Sequence, residues 1–317
     1  MKGLVYIGKI VSIFPIKNAD RIESVEVFCG DGGKWKGTVQ KGQFKNGDLC
    51  QVYLQDSLLP HTEEFAFMEN KEWRIKMMKL RGVPSEVLIM PQTIVGDVGD
   101  DITQQANVEK YEKQIPVGMG GEIYGSFPSF IPKTDEPNFQ KVPEMVESLR
   151  GKRFYSTVKV DGSSATIYKY NEHFGCCSRN WERKESDSNI IWQIAKEYEW
   201  DKILPDGFAF QFEIAGPGIQ KNPMGLKKVQ PFLFNIYDIK NNCYIPDIFY
   251  YSYTPTIEIV DYNKIFNFKS DDDLRKYAEG KYPNGRQREG IVIRPMISDI
   301  NNERISFKVI NLLYKEK

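Results

Sequence analysis

Lys159 and Asp161 stand two residues apart in the run Phe154–Tyr168 (FYSTVKVDGSSATIY), where an alternating apolar pattern enters Lys-Val-Asp-Gly and then resumes. In an extended segment, residues two apart point to the same side. The amine and the carboxylate therefore share one face, while Val158 and Val160 take the other. Gly162 interrupts the pattern where the chain must bend or approach a ligand closely. An amine beside a carboxylate at a strand end suits a covalent nucleophile, provided that a neighbour, a metal or a phosphate holds it and helps remove its proton. The same four residues also suit a charged hairpin turn at the surface, since lysine is common on half-exposed strands.

Three more charges sit in strongly apolar runs downstream: Glu213 in Phe208–Ala215, Glu289 at the head of Glu289–Arg294, and Lys308 in Ile305–Leu312. A charge in such a run is costly unless it is paired or opens into a solvated cleft. Four of them, mixed in sign, either converge on one pocket or occupy four ordinary edge positions.

The rest of the chain bounds what such a pocket can be. At 317 residues, two domains are expected. Lys plus Arg equals Asp plus Glu at 43 each, so any surface for nucleic acid must come from local segregation of charge. Hydrophobic residues make up 41%, enough for real cores. Five cysteines without CxxC spacing read as reduced, intracellular thiols. Only His61 and His173 are available, which excludes a histidine-rich metal site and disfavours Ser-His-Asp hydrolysis. No apolar run reaches the length of about 18 residues that a membrane span needs, and a soluble, cytoplasmic protein is expected.

Residues 1 to about 110 read as short strands with glycine turns: Leu4–Phe14, Glu23–Cys29, Trp35–Val39, Leu49–Leu54 and Glu86–Met90. This pattern predicts a small β-barrel, OB-like or SH3-like. Within it, Lys71–Arg81 holds five basic residues and one acid around Trp73. Such a stretch can track a phosphate backbone, or can pack Trp73, Ile75 and Met77 inward and leave Arg74 and Lys76 in water. The domain junction is expected in the polar, then glycine-rich stretch between about 103 and 122. Residues 111–317 then form an α+β unit. The aromatic-rich segment Phe127–Glu136 is expected to pack on it, and helices are predicted over Pro143–Leu149, from a cap at Asp187 or Ser188 to Tyr198, and over Asp271–Ala278.

Taken in order, these segments resemble the nucleotidyltransferase motifs of the covalent lysyl-nucleotide superfamily, the polynucleotide ligases and mRNA capping enzymes. Lys159-Val-Asp-Gly162 resembles motif I, and Ser178-Arg-Asn180 the short arginine motif after it. Phe212–Gly216 resembles motif III, Phe232–Ile239 motif IIIa, Glu289–Arg294 motif IV and Ser306–Val309 motif V. The N-terminal stretches Pro15–Ile22, Asp56–Pro60 and Lys79–Pro84, with Phe127–Glu136, resemble ATP-dependent RNA ligases typified by the Deinococcus enzyme, which carry an OB domain before the transferase domain. The resemblance implies an α+β fold with an OB-like barrel followed by an ATP-grasp-like nucleotidyltransferase domain on antiparallel sheets.

By the same resemblance, Lys159 is the nucleophile that takes AMP, with Asp161 beside it, and Arg179 contacts a phosphate. Glu213 bonds the ribose and Phe234 stacks on adenine. Glu289 binds a divalent metal together with Asp161, and Lys308 contacts the α-phosphate. The expected cofactors are ATP and Mg²⁺ or Mn²⁺, matching an oxygen-donor site. Two departures reduce the positive charge. Ser164 stands where many DNA ligases and capping enzymes have arginine, and Ser306 stands where many relatives have the first of two lysines. Arg179, Arg288 and Lys133 are the candidates to compensate.

These readings predict an ATP-dependent RNA ligase that joins 3′-OH and 5′-phosphate ends, at nicks in RNA-containing duplexes, as a monomer. The alternatives are a GTP-dependent capping guanylyltransferase, a DNA ligase, or a non-catalytic nucleic-acid-binding protein.

Overall fold

A computed structural model describes residues 3–111, 117–245, 257–296 and 305–314. The chain divides into two compact units, Met1–Lys113 with Gln140–Pro143, and Gln114–Phe139 with Glu144–Lys317. The stretch expected to hold the junction includes residues 112–116, which lie outside the described residues.

The first unit is built on strands β1 (Val5–Pro15), β2 (Ile22–Phe28), β3 (Lys34–Gln40), β4 (Leu49–Tyr53) and β5 (Leu88–Pro91), all within two residues of the sequence expectation. They form an antiparallel sheet in the order β3-β2-β1-β4-β5. Alternation sends Ile10, Val25, Val27, Trp35, Val39, Cys50, Val52 and Ile89 to one side as a core. The sheet curls until its outer strands meet at one parallel bridge, Gly37 with Val87, so it is an OB-like half-barrel rather than a barrel with a full closing ladder. At Gly37 a Cβ would stand 2.5 Å from the Ile89 side chain, so glycine permits the closure.

The basic segment differs from its expected alternation. Glu72 and Trp73 both adopt left-handed backbone, with φ of 56° and 57°, and this resets the pattern. Ile75 is buried as expected, and so is Arg74, whose guanidinium pairs with Asp56 at 2.6 Å and lies 3.8 Å from the Tyr111 ring centre. Arg74 therefore ties the segment to its own unit.

The second unit holds two antiparallel sheets. The larger contains β6 (Ile123–Ser126), β8 (Ser163–Tyr170), β9 (His173–Ser178), β10 (Trp181–Arg183), β11 (Phe208–Ala215), β12 (Gln230–Asp238) and β13 (Cys243–Tyr244), in the order β6-β10-β9-β8-β11-β12-β13. The smaller contains β7 (Arg153–Val158), β14 (Ile259–Ile265), β15 (Gly290–Pro295) and β16 (Phe307–Ile310), in the order β14-β7-β15-β16. Helix α1 spans Pro143–Ser148 and α4 spans Asp271–Ala278, the latter capped by the Ser270 hydroxyl.

Helices α2 (Ile190–Glu197) and α3 (Trp200–Ile203) cover one face of the larger sheet. The cap of α2 is Asn189, not Asp187 or Ser188: its side-chain oxygen accepts from the amides of Ile191 and Trp192, while its amide nitrogen donates to Gly120. A residue that serves both the helix end and a neighbouring loop wins the position. Beneath the helices Ala165, Ile167, Phe210, Phe212, Ile214 and Leu233 make the core. Among the described residues, no helix is long and apolar enough to cross a membrane.

Trp200 is fully buried and meets Phe210 and Phe212 edge-on at 5.4 and 5.0 Å. Trp200→Ala should cost about 3–5 kcal/mol in a chemical unfolding titration, because the cavity lies between a helix and a sheet that cannot both collapse into it.

Candidate active site

Lys159–Gly162 is the piece of chain that leaves β7 in the smaller sheet and enters β8 in the larger one. The Lys159 amide still donates to the Gly290 carbonyl at 2.9 Å, so the residue sits in register although the strand has ended. At Gly162 a Cβ would stand 2.2 Å from the Ile214 carbonyl oxygen on β11, so only glycine lets the chain cross there.

The crossing leaves the amine in an acidic pocket. Lys159 Nζ bonds Glu289 Oε2 at 2.6 Å, with the two side chains 22% and 16% exposed. Burial pushes the lysine toward its neutral form, but Glu289, Glu213 and Asp161 outweigh burial and hold its pKa above the ordinary lysine value. Asp161 is itself buried and accepts from the Tyr314 hydroxyl. Buried Tyr282 donates to the Lys159 carbonyl at 3.2 Å and accepts from the Glu289 amide at 3.3 Å, joining Lys159 and Glu289 through one phenol. Burial first, and then nearby carboxylates, raise the pKa of both tyrosines, which keeps them neutral donors. No motif in the sequence singled out either tyrosine.

Strand register collects the other residues. Ser164, Glu213 and Phe232 stand in one row across β8, β11 and β12, on the face away from the helices. The pairing of β11 with β12 slips between Gln211 and Phe212, which leaves Phe234 as the extra residue of a bulge. Lys308 pairs in register with Val292 on β15, which pairs with Thr157 on β7, so Lys308 shares a sheet face with Thr157 and, by alternation, with Lys159. Glu289 lies one residue before β15.

Segment 132–138 runs along these motifs and meets them nearly one for one. The Pro132 carbonyl accepts from Gln211, Lys133 Nζ donates to Asn180, and the Thr134 and Ser164 hydroxyls lie 2.6 Å apart. Asp135 accepts from Arg179 Nη2 through both oxygens, and Glu136 pairs with Arg294 at 3.0 Å with both side chains 11% exposed. The Pro137 carbonyl accepts from the Lys308 amide.

The two serine departures therefore have structural partners: Ser164 meets Thr134, and Ser306 accepts from Arg294 Nε at 3.0 Å. Arg294 also donates to the Phe234 carbonyl that the bulge releases from the ladder. Arg288 does not face this pocket. Its guanidinium donates to the carbonyls of Tyr277, Ala278 and Glu279 at the end of α4, which rules it out as the compensating cation. Lys133 and Arg179 are instead held by Asn180 and Asp135 beside the segment 132–138.

Among the described residues, no three His, Cys, Asp or Glu side chains gather to hold a metal by themselves. The donors near Lys159 are carboxylate oxygens, and one or two of these completed by water and phosphate oxygen is how Mg²⁺ binds. Asp161 and Glu289 thus fit a hard cation that enters with a nucleotide. Three acids around one lysine also make the pocket repel a polyphosphate that brings no cation.

Arg294→Ala should leave the Glu136 carboxylate buried without its partner and cost about 3 kcal/mol in unfolding free energy. The double replacement Arg294→Met with Glu136→Leu should cost less than that single change, and a thermodynamic cycle of the variants checks the coupling.

Comparison with known proteins gives the same architecture. Residues 152–310 match the RNA ligase family, and residues 4–92 match an OB-fold domain. The structure of Naegleria gruberi RNA ligase with PPi is 31% identical, aligns over 98% of this chain and 97% of that chain, and has a TM-score of 0.84. A Glu→Ala variant of that ligase with AMP and Mn is 31% identical over 98% and 97% with a TM-score of 0.83. A Lys→Ala variant with ATP and Mn is 31% identical over 97% and 96%, also at 0.83. A search of curated proteins returns no match.

Proposed function

The chain belongs to the RNA ligase family, and on that premise we propose that it joins RNA 3′-OH and 5′-phosphate ends with ATP, through AMP carried on Lys159. The observation that carries this reading is the Lys159 amine, held at 2.6 Å from Glu289 where the chain crosses between two sheets. The Naegleria ligase binds ATP, AMP, PPi and Mn, which supports ATP as donor and Mn²⁺ or Mg²⁺ as the metal. An OB-fold ahead of the ligase domain supports the Deinococcus-type order over that of DNA ligases and capping enzymes.

The chemistry follows from the pocket. The resting amine is protonated, and Glu289 Oε2 is the atom in place to accept its proton. The freed nitrogen attacks the ATP α-phosphorus in line, a phosphoramidate N–P bond forms, and the bond to pyrophosphate breaks. Lys308, on the same sheet face, neutralises charge that develops on the α-phosphate oxygens. Glu213 holds the ribose, and Phe234 supplies a ring for adenine at the bulge. A divalent cation on Asp161 and Glu289, when bound, adds positive charge beside the phosphates and favours the neutral amine.

In the second step an RNA 5′-phosphate oxygen attacks the lysyl-AMP phosphorus and releases the amine, giving an adenylated end. This reading gives Arg179 to that phosphate, and Asp135 occupies it beforehand. In the third step the 3′-OH attacks the 5′-phosphorus and AMP leaves. Nicks in RNA-containing duplexes are the substrate this reading favours, since the 2′-OH and A-form shape distinguish RNA there. It has the enzyme working as a cytoplasmic monomer, and its free thiols at Cys29, Cys50, Cys176, Cys177 and Cys243 support a reducing setting.

Incubation with α-³²P-ATP and Mg²⁺ or Mn²⁺, run on a denaturing gel without acid fixation, should label the protein. Lys159→Ala and EDTA should each abolish the label, and nicked RNA duplex should discharge it. Labelling by GTP alone would move the reading to a capping enzyme, and no label with any nucleotide would leave a binding protein. Glu213→Ala should slow lysyl-AMP formation at sub-saturating ATP by about tenfold, the loss of one charged hydrogen bond.

A further inference from the structure

The ladder between β7 and β15 ends at the bond from the Lys159 amide to the Gly290 carbonyl. Just past that end, the Lys159 carbonyl and the Glu289 amide meet on one atom, the hydroxyl oxygen of Tyr282. A phenol donates once and accepts as well, so a single oxygen holds the main chain of both residues. Tyr282 is 2% exposed, and close packing fixes the ring that carries this oxygen.

The residue sits at the root of a hairpin, Lys281–Gln287, that is fastened at both ends. Lys281 bridges Gln287, the Tyr282 amide donates to the Arg286 carbonyl at 2.8 Å, and the Gly285 amide donates to the Tyr282 carbonyl at 2.9 Å. At the root, the Arg288 amide donates to the Gly280 carbonyl. Fully buried Asn311, just after β16, donates its side-chain amide to the Arg288 carbonyl at 2.8 Å. At the tip, Asn284 Nδ2 donates to the Pro223 carbonyl at 2.9 Å. Gly225 leaves room for that contact, since a Cβ there would stand 2.7 Å from the same nitrogen. Pro223 and Gly225 belong to the loop between β11 and β12, which bonds Ser163 through Gln220 and lays Met224 and Leu226 on Val160, Ala215 and Phe232. The crossing from Lys159 to Ser163 is thus held at one end by Tyr282 and at the other by the loop that the hairpin tip touches.

We infer that Tyr282 is a positioning residue for lysine adenylylation: its hydroxyl sets the Lys159 main chain against that of Glu289 and so aims the amine. Both of its bonds go to main chain, so it acts through these two residues and not on the nucleotide. This rests on the ligase reading for the reaction that it serves. Misplacing an attacking atom by about 1 Å costs about a hundredfold in rate. Contacts that bind ATP, made by other groups, are left in place.

The test compares the full chain with Tyr282→Phe, which keeps the buried ring and removes only the hydroxyl. In single-turnover labelling with α-³²P-ATP and Mg²⁺, the variant should form lysyl-AMP about thirtyfold more slowly at saturating ATP. Its half-saturating ATP concentration should stay within about twofold of wild type, the split that lost positioning produces and lost binding does not. Sealing of a nicked RNA duplex that already carries AMP on its 5′ end forms no bond to Lys159, and should slow by less than about threefold. Without nucleotide, hydrogen exchange resolved to single residues by mass spectrometry should be about tenfold faster at the Glu289 amide, which loses its acceptor. A wild-type labelling rate in Tyr282→Phe, or wild-type exchange at Glu289, would overturn the inference. So would a raised half-saturating ATP with an unchanged maximal rate, since the hairpin would then bind nucleotide. An equal loss in labelling and in sealing would also overturn it, as the mark of a general loss of structure. Failure of the wild type to label with ATP would instead strike the ligase reading, and exchange at Glu289 would still decide whether the phenol holds that main chain.

Discussion

A half-buried ammonium that must stay charged at rest is the constraint on which the second unit depends. Removing Lys159 from water disfavours its charged form, and three carboxylates from three different places restore it. Glu289 arrives at the head of β15, Glu213 from the other sheet, and Asp161 from the crossing itself. The two sheets must therefore meet where the chain passes between them, and Gly162 is the residue that allows the close approach. An arrangement this negative accommodates a triphosphate only with a cation beside it. One lysine and three acids thus share one small volume.

The segment 132–138 completes that volume from the outside. It has no regular structure, yet its side chains and carbonyls meet Gln211, Asn180, Ser164, Arg179, Arg294 and Lys308 in succession. Two of its acids sit on arginines of the motifs. The Glu136–Arg294 pair is buried enough that breaking it strands a charge, whereas Asp135–Arg179 is exposed and contributes little to stability. One contact therefore fixes the wall, and the other is a surface pair.

The half-barrel follows a different logic. Its strands close around an apolar core with one bridge between the outermost pair, and a long excursion after β4 packs on its outer face over Val5, Ile7 and Tyr53. The basic stretch in that excursion is a structural element, held by a buried arginine. Elsewhere on that face Lys9, exposed Phe28 and Lys34 stand in one register row.

Period-two alternation, glycine turns and capping residues act over a few positions, so the five half-barrel strands, the helices at Pro143 and Asp271, the domain order and the motif series around Lys159 were legible in the sequence, whereas the edge strands Ile123–Ser126 and Ile259–Ile265 and the short helix Trp200–Ile203 were not. Arg74 departed because two left-handed residues, which nothing in composition signals, interrupt the alternation and leave Arg74 and Ile75 both buried. Asn189 took the cap because it also serves a distant loop. Arg288 is adjacent to Glu289 in sequence but is turned to the end of α4 by the backbone. Tyr282, Tyr314, Asp135 and Glu136 enter the site through contacts between residues far apart in the chain. The sequence by itself thus determined which chemistry the chain carries and on which strands. Only the tertiary structure decided which charges meet, because pairing depends on register, crossings and desolvation, and these are properties of the assembled sheets.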